Sequence, residues 1–456
     1  MKILPAALAL LAATVQMAAQ DRSTITGRFL DDTGNGATRS SVAIFEFGGD
    51  GESFIDTAVV AADGSFTLHS ERSALLGVRV LGPQGLIWFL PPVWIRGEKL
   101  GMTIRMKPLS PGVMPEDPDV LLDDPIAMGI YSAYASADGW RHDFMRAALT
   151  HQMSGEPMES FAFDFTPAYA RVDSILAATP PGIVRDAWTL ASFSLGEFDE
   201  SKPVDTSRVR RAFSDIPATS ILWAVFPEVG ISAGKSIGEI DRYRPLLDSI
   251  AGFNPILSAR ATWLYQLARL GAAERDTARL LGYIHRLERD FPTSYRTRAA
   301  HAEVDPNRAI NVGRKVPSFS FISLDDSTEI ITDRNMLGRY YLIDFWATWC
   351  SPCVAELGGL HRAYNRFREK RFEVLSLSFD QSPGTVTQFR KRGRFPMPWK
   401  HAFIEGRYEN PVADIFNVTG IPHPILVGPD GTILETSPGA LRGEELERTL
   451  AKYLGD

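Results

Sequence analysis

The stretch that most constrains this chain runs from Tyr340 to Glu356 and reads YYLIDFWATWCSPCVAE. It contains Cys350 and Cys353, which are the only two cysteines in 456 residues and lie three positions apart. The apolar run before the pair predicts a buried strand, and the apolar residues after it recur at helical spacing. The cysteines are therefore expected where a strand ends and a helix begins.

The first turn of a helix gives such a pair its chemistry. Residues at i and i+3 bring their Cα atoms into the window of roughly 4.4–6.8 Å that a disulfide needs, and Pro352 suits an early helical position. Free N–H groups and the helix dipole favour a thiolate, so Cys350 is expected to be the more acidic and more exposed nucleophile. Cys353, one turn inward, would then attack the mixed disulfide and release a reduced partner.

The second step requires Cys353 to lose a proton, and two carboxylates are candidate bases. Asp344 precedes Cys350 by six residues on the predicted strand, and Glu356 follows Cys353 by three residues on the predicted helix. Either spacing brings a carboxylate near the sulfurs. The sequence does not choose between them.

These residues resemble the thioredoxin superfamily, and most closely its exported thiol-disulfide oxidoreductases of the TlpA and ResA type. Asp344 falls where thioredoxin has a buried acid before its WCxPC motif, and Glu356 falls where ResA-like proteins have an active-site glutamate. Trp349 falls on the tryptophan that lies beside the incoming substrate in that family. Many ResA-like proteins have a neutral residue at the position of Asp344, so the proton path here combines features of two branches.

The resemblance continues around a second loop and covers about residues 312 to 456. Ile421–Pro422 matches the family's cis-proline loop beside the cysteines, so a cis peptide bond is predicted there and both residues are predicted to contact substrate. Val316-Pro317-Ser318-Phe319 resembles the start of the redoxin form of the fold. His423 follows Pro422 where threonine is common, and its ring is placed to tune the acidity of the thiols.

Composition and length predict a multidomain chain. A net charge of −7 with 45% apolar residues describes an ordinary globular protein and implies no nucleic-acid partner. Residues 1–19 combine Lys2 with a short apolar stretch and small residues, which is typical of a cleaved signal peptide, although an uncleaved anchor is the alternative. We therefore expect a periplasmic or other extracytoplasmic location, with no membrane span after cleavage.

Three domains are predicted after the signal peptide. Residues 20–108 contain seven short β-type runs and are assigned to an antiparallel β sandwich, in which Asp63-Gly64 indicates a hairpin. Residues 109–310 are assigned to a Pro- and Asp-rich linker, over 107–125, followed by an α-helical domain. Residues 311–456 are assigned to an α/β thioredoxin fold on the resemblance above.

The resulting functional hypothesis is an enzyme that reduces disulfides of extracytoplasmic partner proteins, without a cofactor, and is itself reduced by an upstream thiol donor. Nearby carboxylates oppose a thiolate, and a dithiol with a less stabilised thiolate gives up electrons more readily, which favours the reducing direction. A bound metal is not expected, because no second cysteine pair exists and His142, His151, His285 and His301 have no ligand spacing.

Three alternatives stay open. A structural disulfide closes so short a loop that it would stabilise the fold little. A thiol peroxidase of the peroxiredoxin type has Pro and Thr seven and three residues before its reactive cysteine. This chain has Ile343 and Ala347 at those positions. The third alternative is a binding or scaffold protein whose thioredoxin domain serves as a redox-responsive clasp.

Overall fold

The computed structural model describes residues 22–48, 54–71, 74–108, 116–154, 160–199, 202, 204–393 and 397–455. The chain divides into two compact units, Met1–Leu267 and Ala268–Asp456. Among the residues so described, none of the helices is long and apolar enough to cross a membrane. The predicted signal peptide, residues 1–19, lies outside the described residues.

The first unit begins with strands that alternate between buried and exposed positions, as β4 does along its length. They form two four-stranded sheets of order β4-β1-β7-β8 and β3-β2-β5-β6, and buried residues of both sheets belong to one hydrophobic cluster. The strands are β1 (Arg22–Leu30), β2 (Ser41–Glu46), β3 (Phe54–Val59), β4 (Ser65–Glu71), β5 (Leu75–Leu81), β6 (Ile87–Trp94), β7 (Lys99–Arg105) and β8 (Asp119–Leu122).

All seven predicted β-type runs are strands, but their arrangement differs from the prediction at three points. The pairing of β1 with β7 is parallel, whereas the other pairings in both sheets are antiparallel, because β7 reaches β1 through a long connection rather than a tight turn. Asp63-Gly64 does form a turn, yet β3 and β4 on either side of it belong to different sheets. The predicted linker contains β8, whose short apolar run Val120-Leu121-Leu122 pairs with β7.

Helices make up the rest of the first unit, which agrees with the helical periodicity of the sequence. Asp205, for example, caps one of them by accepting hydrogen bonds from the backbone N–H groups of Ser207 and Arg208. The helices are α1 (Pro125–Ser154), α2 (Thr166–Ala178), α3 (Ile183–Phe193), α4 (Thr206–Asp215), α5 (Leu222–Val225), α6 (Pro227–Ser236), α7 (Ile240–Phe253) and α8 (Leu257–Ala273), which runs past the end of this unit.

The second unit contains two further helices and then an α/β fold. The helices and strands are α9 (Thr277–Asp290), α10 (Tyr295–Glu303), β9 (Ser320–Ile322), β10 (Ile330–Thr332), β11 (Tyr340–Trp346), α11 (Ser351–Phe367), β12 (Phe372–Ser378), α12 (Pro383–Arg392), β13 (Lys400–Phe403), α13 (Pro411–Ile415), β14 (His423–Val427), β15 (Ile433–Glu435) and α14 (Gly443–Leu454). β9 and β10 form a separate two-stranded sheet.

A five-stranded sheet of order β13-β12-β11-β14-β15 is the centre of this α/β fold. The central strand β11 is parallel to β12 and antiparallel to β14, and five of its seven residues are buried. Two parallel pairings (β11–β12 and β12–β13), two antiparallel pairings (β11–β14 and β14–β15) and a helix after β11 agree with the thioredoxin fold that the sequence predicts for this part of the chain.

The helix α11 follows from its sequence. It begins directly after Cys350, contains a proline in its first turn, and buries Cys353, Leu357, Leu360 and Phe367, which recur every three to four residues. The helix α14 packs against it. The end of β11, the start of α11 and the start of α14 therefore lie close together around the two cysteines.

Candidate active site at the start of helix α11

The two cysteines are joined by a disulfide at the start of α11, as the strand-to-helix interpretation requires. Their Cα atoms are 5.3 Å apart, inside the predicted window. Cys350 is the N-cap residue, and its Sγ accepts a hydrogen bond from the backbone N–H of Cys353 at 3.2 Å. That N–H donor and the helix dipole both favour negative charge on the Cys350 sulfur when the disulfide is open.

The sulfurs differ in position rather than in exposure. Cys350 was expected to be the more exposed thiol; in the disulfide form the two residues are almost equally buried, with Cys350 5% and Cys353 4% exposed, and the expectation for the reduced pair stays a prediction. Both residues belong to the hydrophobic cluster of the α/β fold. Spacing along a helix specifies which residue comes first, but the surrounding loops determine how much surface each retains.

Asp344 lies on β11, directly opposite Ser376 on β12 and Pro424 on β14. Burial and, to a smaller extent, the negative charge of Glu356 raise the pKa of its carboxyl to about 7, although a hydrogen bond from Ser376 and the positive charge of Arg442 oppose the shift. A carboxyl with such a pKa exchanges its proton near neutral pH. Asp344 therefore has the acidity that a base for a buried thiol requires.

Glu356 lies one turn after Cys353 on α11, and its Oε1 accepts a hydrogen bond from Nε of Arg442. The pKa of Glu356 is raised above its ordinary value, because burial outweighs the positive charge and the hydrogen bond of Arg442, both of which lower it. The two carboxyls therefore have different partners: a hydroxyl for Asp344 and a guanidinium for Glu356. Sequence reasoning missed Arg442, because an arginine beside a glycine at a helix start has the appearance of an ordinary surface residue.

A small cavity joins these groups. Asp344, Cys353, Glu356, Pro422 and Arg442 all line it, and its volume of about 20 Å³ is close to that of one water molecule. Apolar residues and a glycine complete its wall: Leu342, Leu357, Leu360, Pro424, Leu441, Gly443 and Leu446. The cavity brings the inner cysteine and both predicted bases to one small space.

The predicted substrate-contact residues lie around the same helix start. The Ile421–Pro422 peptide bond is cis, which confirms that prediction, and Ile421 packs partly against the core. Trp349 is 52% exposed, and the guanidinium of Arg407 lies over its ring at 5.8 Å from the centroid. Next to Arg407, Tyr408 hydrogen-bonds the backbone of Ile421. An exposed aromatic side chain therefore lies immediately before the first cysteine.

His423 does not belong to this group. It pairs with Phe345 across the β11–β14 ladder, its ring packs edge-on against Phe345, and it does not line the cavity. Burial lowers the pKa of His423 to about 4, so the ring is neutral at physiological pH. His423 faces away from the cavity, because a strand places successive side chains on opposite faces of its sheet. The expectation that this histidine tunes the thiols stays a prediction.

A second buried acid that sequence reasoning missed anchors the loop before Cys350. Asp380 is 2% exposed and accepts hydrogen bonds from the backbone N–H of Thr348 at 3.1 Å, from its hydroxyl at 2.6 Å, and from the hydroxyl of Ser378 at 2.8 Å. The signal was available: Asp380 lies two residues after the end of β12, and carboxyl ends of adjacent parallel strands meet at one edge of a sheet. Asp380 thus holds the segment that carries Trp349 and Cys350.

No metal centre accompanies this arrangement in the part of the chain that the structure describes. His, Cys, Asp and Glu side chains there form no group of three or more that could hold an ion. The groups that remain are two sulfurs, two carboxyls and a guanidinium, which are suited to thiol and proton chemistry.

Comparison with known proteins places this site in a wider group. A family model described as thioredoxin-like matches residues 338–433. The thiol-disulfide oxidoreductase ResA of Oceanobacillus iheyensis is 30% identical over 156 residues, which cover 33% of this chain and 76% of that protein. The ResA protein of Bacillus cereus is 26% identical over 143 residues, covering 31% of this chain and 79% of that protein.

Among solved structures, the thioredoxin domain of a thiol-disulfide oxidoreductase from Bacteroides vulgatus is 27% identical. The matched region covers 32% of this chain and 99% of the Bacteroides chain, with a TM-score of 0.29.

Proposed function

Since this chain belongs, through its carboxy-terminal α/β fold, to the ResA family of thiol-disulfide oxidoreductases within the thioredoxin superfamily, we propose that its WCSPC dithiol reduces disulfides of extracytoplasmic partner proteins. The observation that carries this proposal is the Cys350–Cys353 disulfide at the start of α11, beside a cavity that both carboxyls line. A purely structural cross-link has no use for such a cavity.

The reaction has two exchange steps. The Cys350 thiolate attacks one sulfur of the partner's disulfide, so that bond breaks, a mixed disulfide forms and the partner's other sulfur leaves as a thiolate. Cys353 then gives its proton to a base and attacks the Cys350 sulfur. The mixed disulfide breaks, the partner leaves fully reduced, and the protein keeps the Cys350–Cys353 disulfide. Two electrons pass to the partner, and an upstream thiol donor returns two.

Each site residue has a place in this proposal. Asp344 and Glu356 handle the proton of Cys353, since all three line one cavity. Trp349, Ile421 and Pro422 contact the partner, since Trp349 is exposed beside Cys350 and Pro422, next to Ile421, lines the cavity. No bound cofactor takes part in either step.

The reducing direction follows from the charges near the sulfurs. Two carboxyls that share the cavity with Cys353 oppose a stable thiolate, and a less stabilised dithiol is a better reductant. We propose a potential well below the roughly −120 mV of the strongly oxidising DsbA type. Equilibration of the full chain with glutathione buffers measures it, and a value near −120 mV would reject this direction.

The remaining parts of the chain are assigned by the same proposal. Residues 1–19 direct export to the periplasm or another extracytoplasmic compartment. The two amino-terminal sheets form a sandwich that comprises residues 20–108 and the strand β8 of the following linker, the helical domain follows up to residue 310, and the thioredoxin-like domain spans 311–456. The first two domains serve as scaffold or as a docking surface for partners.

Reduction of insulin disulfides tests the activity. We expect the full chain to catalyse precipitation of the insulin B chain in the presence of a thiol donor, and Cys350→Ser to abolish it. Cys353→Ser should instead retain natural partners as stable mixed disulfides, which can be identified after non-reducing electrophoresis. If the wild-type chain and Cys350→Ser were equally inactive while both were folded, the proposed activity would be wrong.

A further inference from the structure

Arg442 connects two helices at the edge of the candidate site. It lies immediately before α14, and its Nε donates a hydrogen bond to Oε1 of Glu356 on α11. The two side chains are 31% and 26% exposed, so the pair is partly shielded from solvent. A shielded pair between packed helices constrains its members more than an exposed surface pair does.

The charged groups of the cavity come from three elements. β11 contributes Asp344, α11 contributes Glu356 together with the thiol of Cys353, and the start of α14 contributes Arg442. β14 and the loop before it contribute only prolines to the lining. Arg442 is thus the one cationic side chain among the described residues that line the cavity.

Two carboxyls that share so small a space do not both ionise readily, so the pair tends to hold one proton. Their partners decide which carboxyl holds it. Glu356 receives the guanidinium of Arg442, which favours its ionised form. Asp344 receives a hydrogen bond from the hydroxyl of Ser376, and its burial favours the protonated form.

We propose that Arg442 is a positioning residue that keeps Glu356 ionised, so that Asp344 rather than Glu356 accepts the proton of Cys353. This inference rests on the proposed oxidoreductase function and assigns the base that the sequence leaves open. Glu356 acts indirectly, because its negative charge makes Asp344 a stronger base.

The acidities agree with this assignment. Burial and the charge of Glu356 raise the pKa of Asp344 to about 7, which lies close to the pH at which a thiol must be deprotonated. Arg442 lowers the pKa of both carboxyls, but only Glu356 hydrogen-bonds it directly. Replacing the guanidinium by a neutral group must therefore move the titration of the pair to higher pH.

The test uses the full-length reduced chain and the chromogenic disulfide dithiobis-nitrobenzoate in a stopped-flow instrument. In the first phase Cys350 attacks the probe and releases one thionitrobenzoate. In the second phase Cys353 attacks the mixed disulfide and releases the second one, while its proton goes to the base. The pH at which the second phase reaches half its maximal rate reports the titration of that base.

We expect Arg442→Gln to raise this midpoint by about one pH unit and to slow the second phase up to about tenfold at pH 6.5. Its rate at pH 9 and the rate of the first phase should change less than about twofold. Arg442→Lys, which keeps the charge, should restore the wild-type midpoint.

A matched control is Arg362→Gln, which removes a cation from another α11–α14 ion pair, with Glu447 at 3.5 Å, away from the cavity. It should leave the midpoint unchanged. In a Glu356→Gln background, Arg442→Gln should shift the midpoint by less than half of its original effect, because Arg442 then has no carboxylate to hold.

An unchanged midpoint in Arg442→Gln, or an equal shift with and without Glu356, would overturn the inference. Failure of the proposed function looks different: the wild-type chain itself would release no second thionitrobenzoate.

Discussion

Asp344 on β11 and His423 on β14 are neighbouring titratable residues of the paired strands, but their side chains lie in different surroundings. Asp344 pairs with Pro424 and Phe345 pairs with His423, so the acid and the histidine are on opposite faces of the sheet. Burial acts on both in the same sense, because it favours the neutral form of each. It raises the pKa of Asp344 to about 7 and lowers the pKa of His423 to about 4.

The two side chains differ in the groups that surround them. Asp344 lines a cavity with the inner cysteine, a second carboxyl and a guanidinium, whereas His423 packs against the ring of Phe345 and its Nε2 has no partner among the described residues. A perturbed pKa therefore indicates a functional group only where a reacting atom lies beside it. The face of the sheet, rather than the size of the shift, separates the two.

The largest expected effect is on the pH dependence of stability. The folded-state pKa of Asp344 lies above the unfolded value of 3.8, so the unfolded chain loses this proton first and stability falls as pH rises from about 4 to about 7. His423 acts in the other direction, since its folded pKa lies below 6.5 and stability falls as pH drops from about 6.5 to about 4.

Urea unfolding of the oxidised full chain can separate these contributions. At pH 8, Asp344→Asn should be more stable than the wild type by up to about 4 kcal/mol, from roughly three pKa units at 1.36 kcal/mol each, and this gain should vanish near pH 4. The free energy of unfolding of His423→Asn should instead rise relative to that of the wild type by up to about 3 kcal/mol as pH falls from 7 to 4.5. The same pH trend in both variants would contradict the comparison.

The next effect is on the rate of the second exchange step. Asp344→Asn removes the proposed base of Cys353, so release of the second thionitrobenzoate at pH 7 should slow about a hundredfold, at the lower end for general-base catalysis. His423→Asn changes the opposite face and should alter this rate less than about twofold. If both variants were slowed equally, the two faces would not differ in function.

The smallest effect should come from Ser376, whose hydroxyl hydrogen-bonds Asp344 and accepts a hydrogen bond from Nε1 of Trp399 at 2.9 Å. Ser376→Ala removes a bond that lowers the pKa of Asp344, so the midpoint of the second phase should rise by about half a unit and its rate at pH 6.5 should fall about threefold. The shift should be the same in a His423→Asn background, because the faces act independently. A downward shift would mean that Ser376 stabilises the protonated acid.

The sequence predicted those parts of the site that depend on local spacing. Cys350, Cys353, Asp344 and Glu356 lie within one strand and the first turns of the next helix, where periodicity specifies which residues are neighbours. The resemblance to the thioredoxin superfamily added the cis bond before Pro422. The roles of these residues are still predictions, which the variants above test.

What the sequence did not predict depends on contacts between distant segments. Arg442, Ser376 and Asp380 come from other elements, and only the packing of α14 on α11 and the pairing of β12 with β11 bring them to the site. The same reason explains the amino-terminal strands. Alternation predicted where they lie, but it does not specify partners, so the turn at Asp63-Gly64 joins two sheets instead of closing a hairpin.

The hydrogen bond between Glu356 and Arg442 joins residues 86 positions apart in the chain. A newly made polypeptide that has not yet acquired its tertiary structure has no such bond and no enclosed acid. Its inner cysteine then has no base beside it. The proposed proton path of Cys353 therefore becomes available only as the native structure forms.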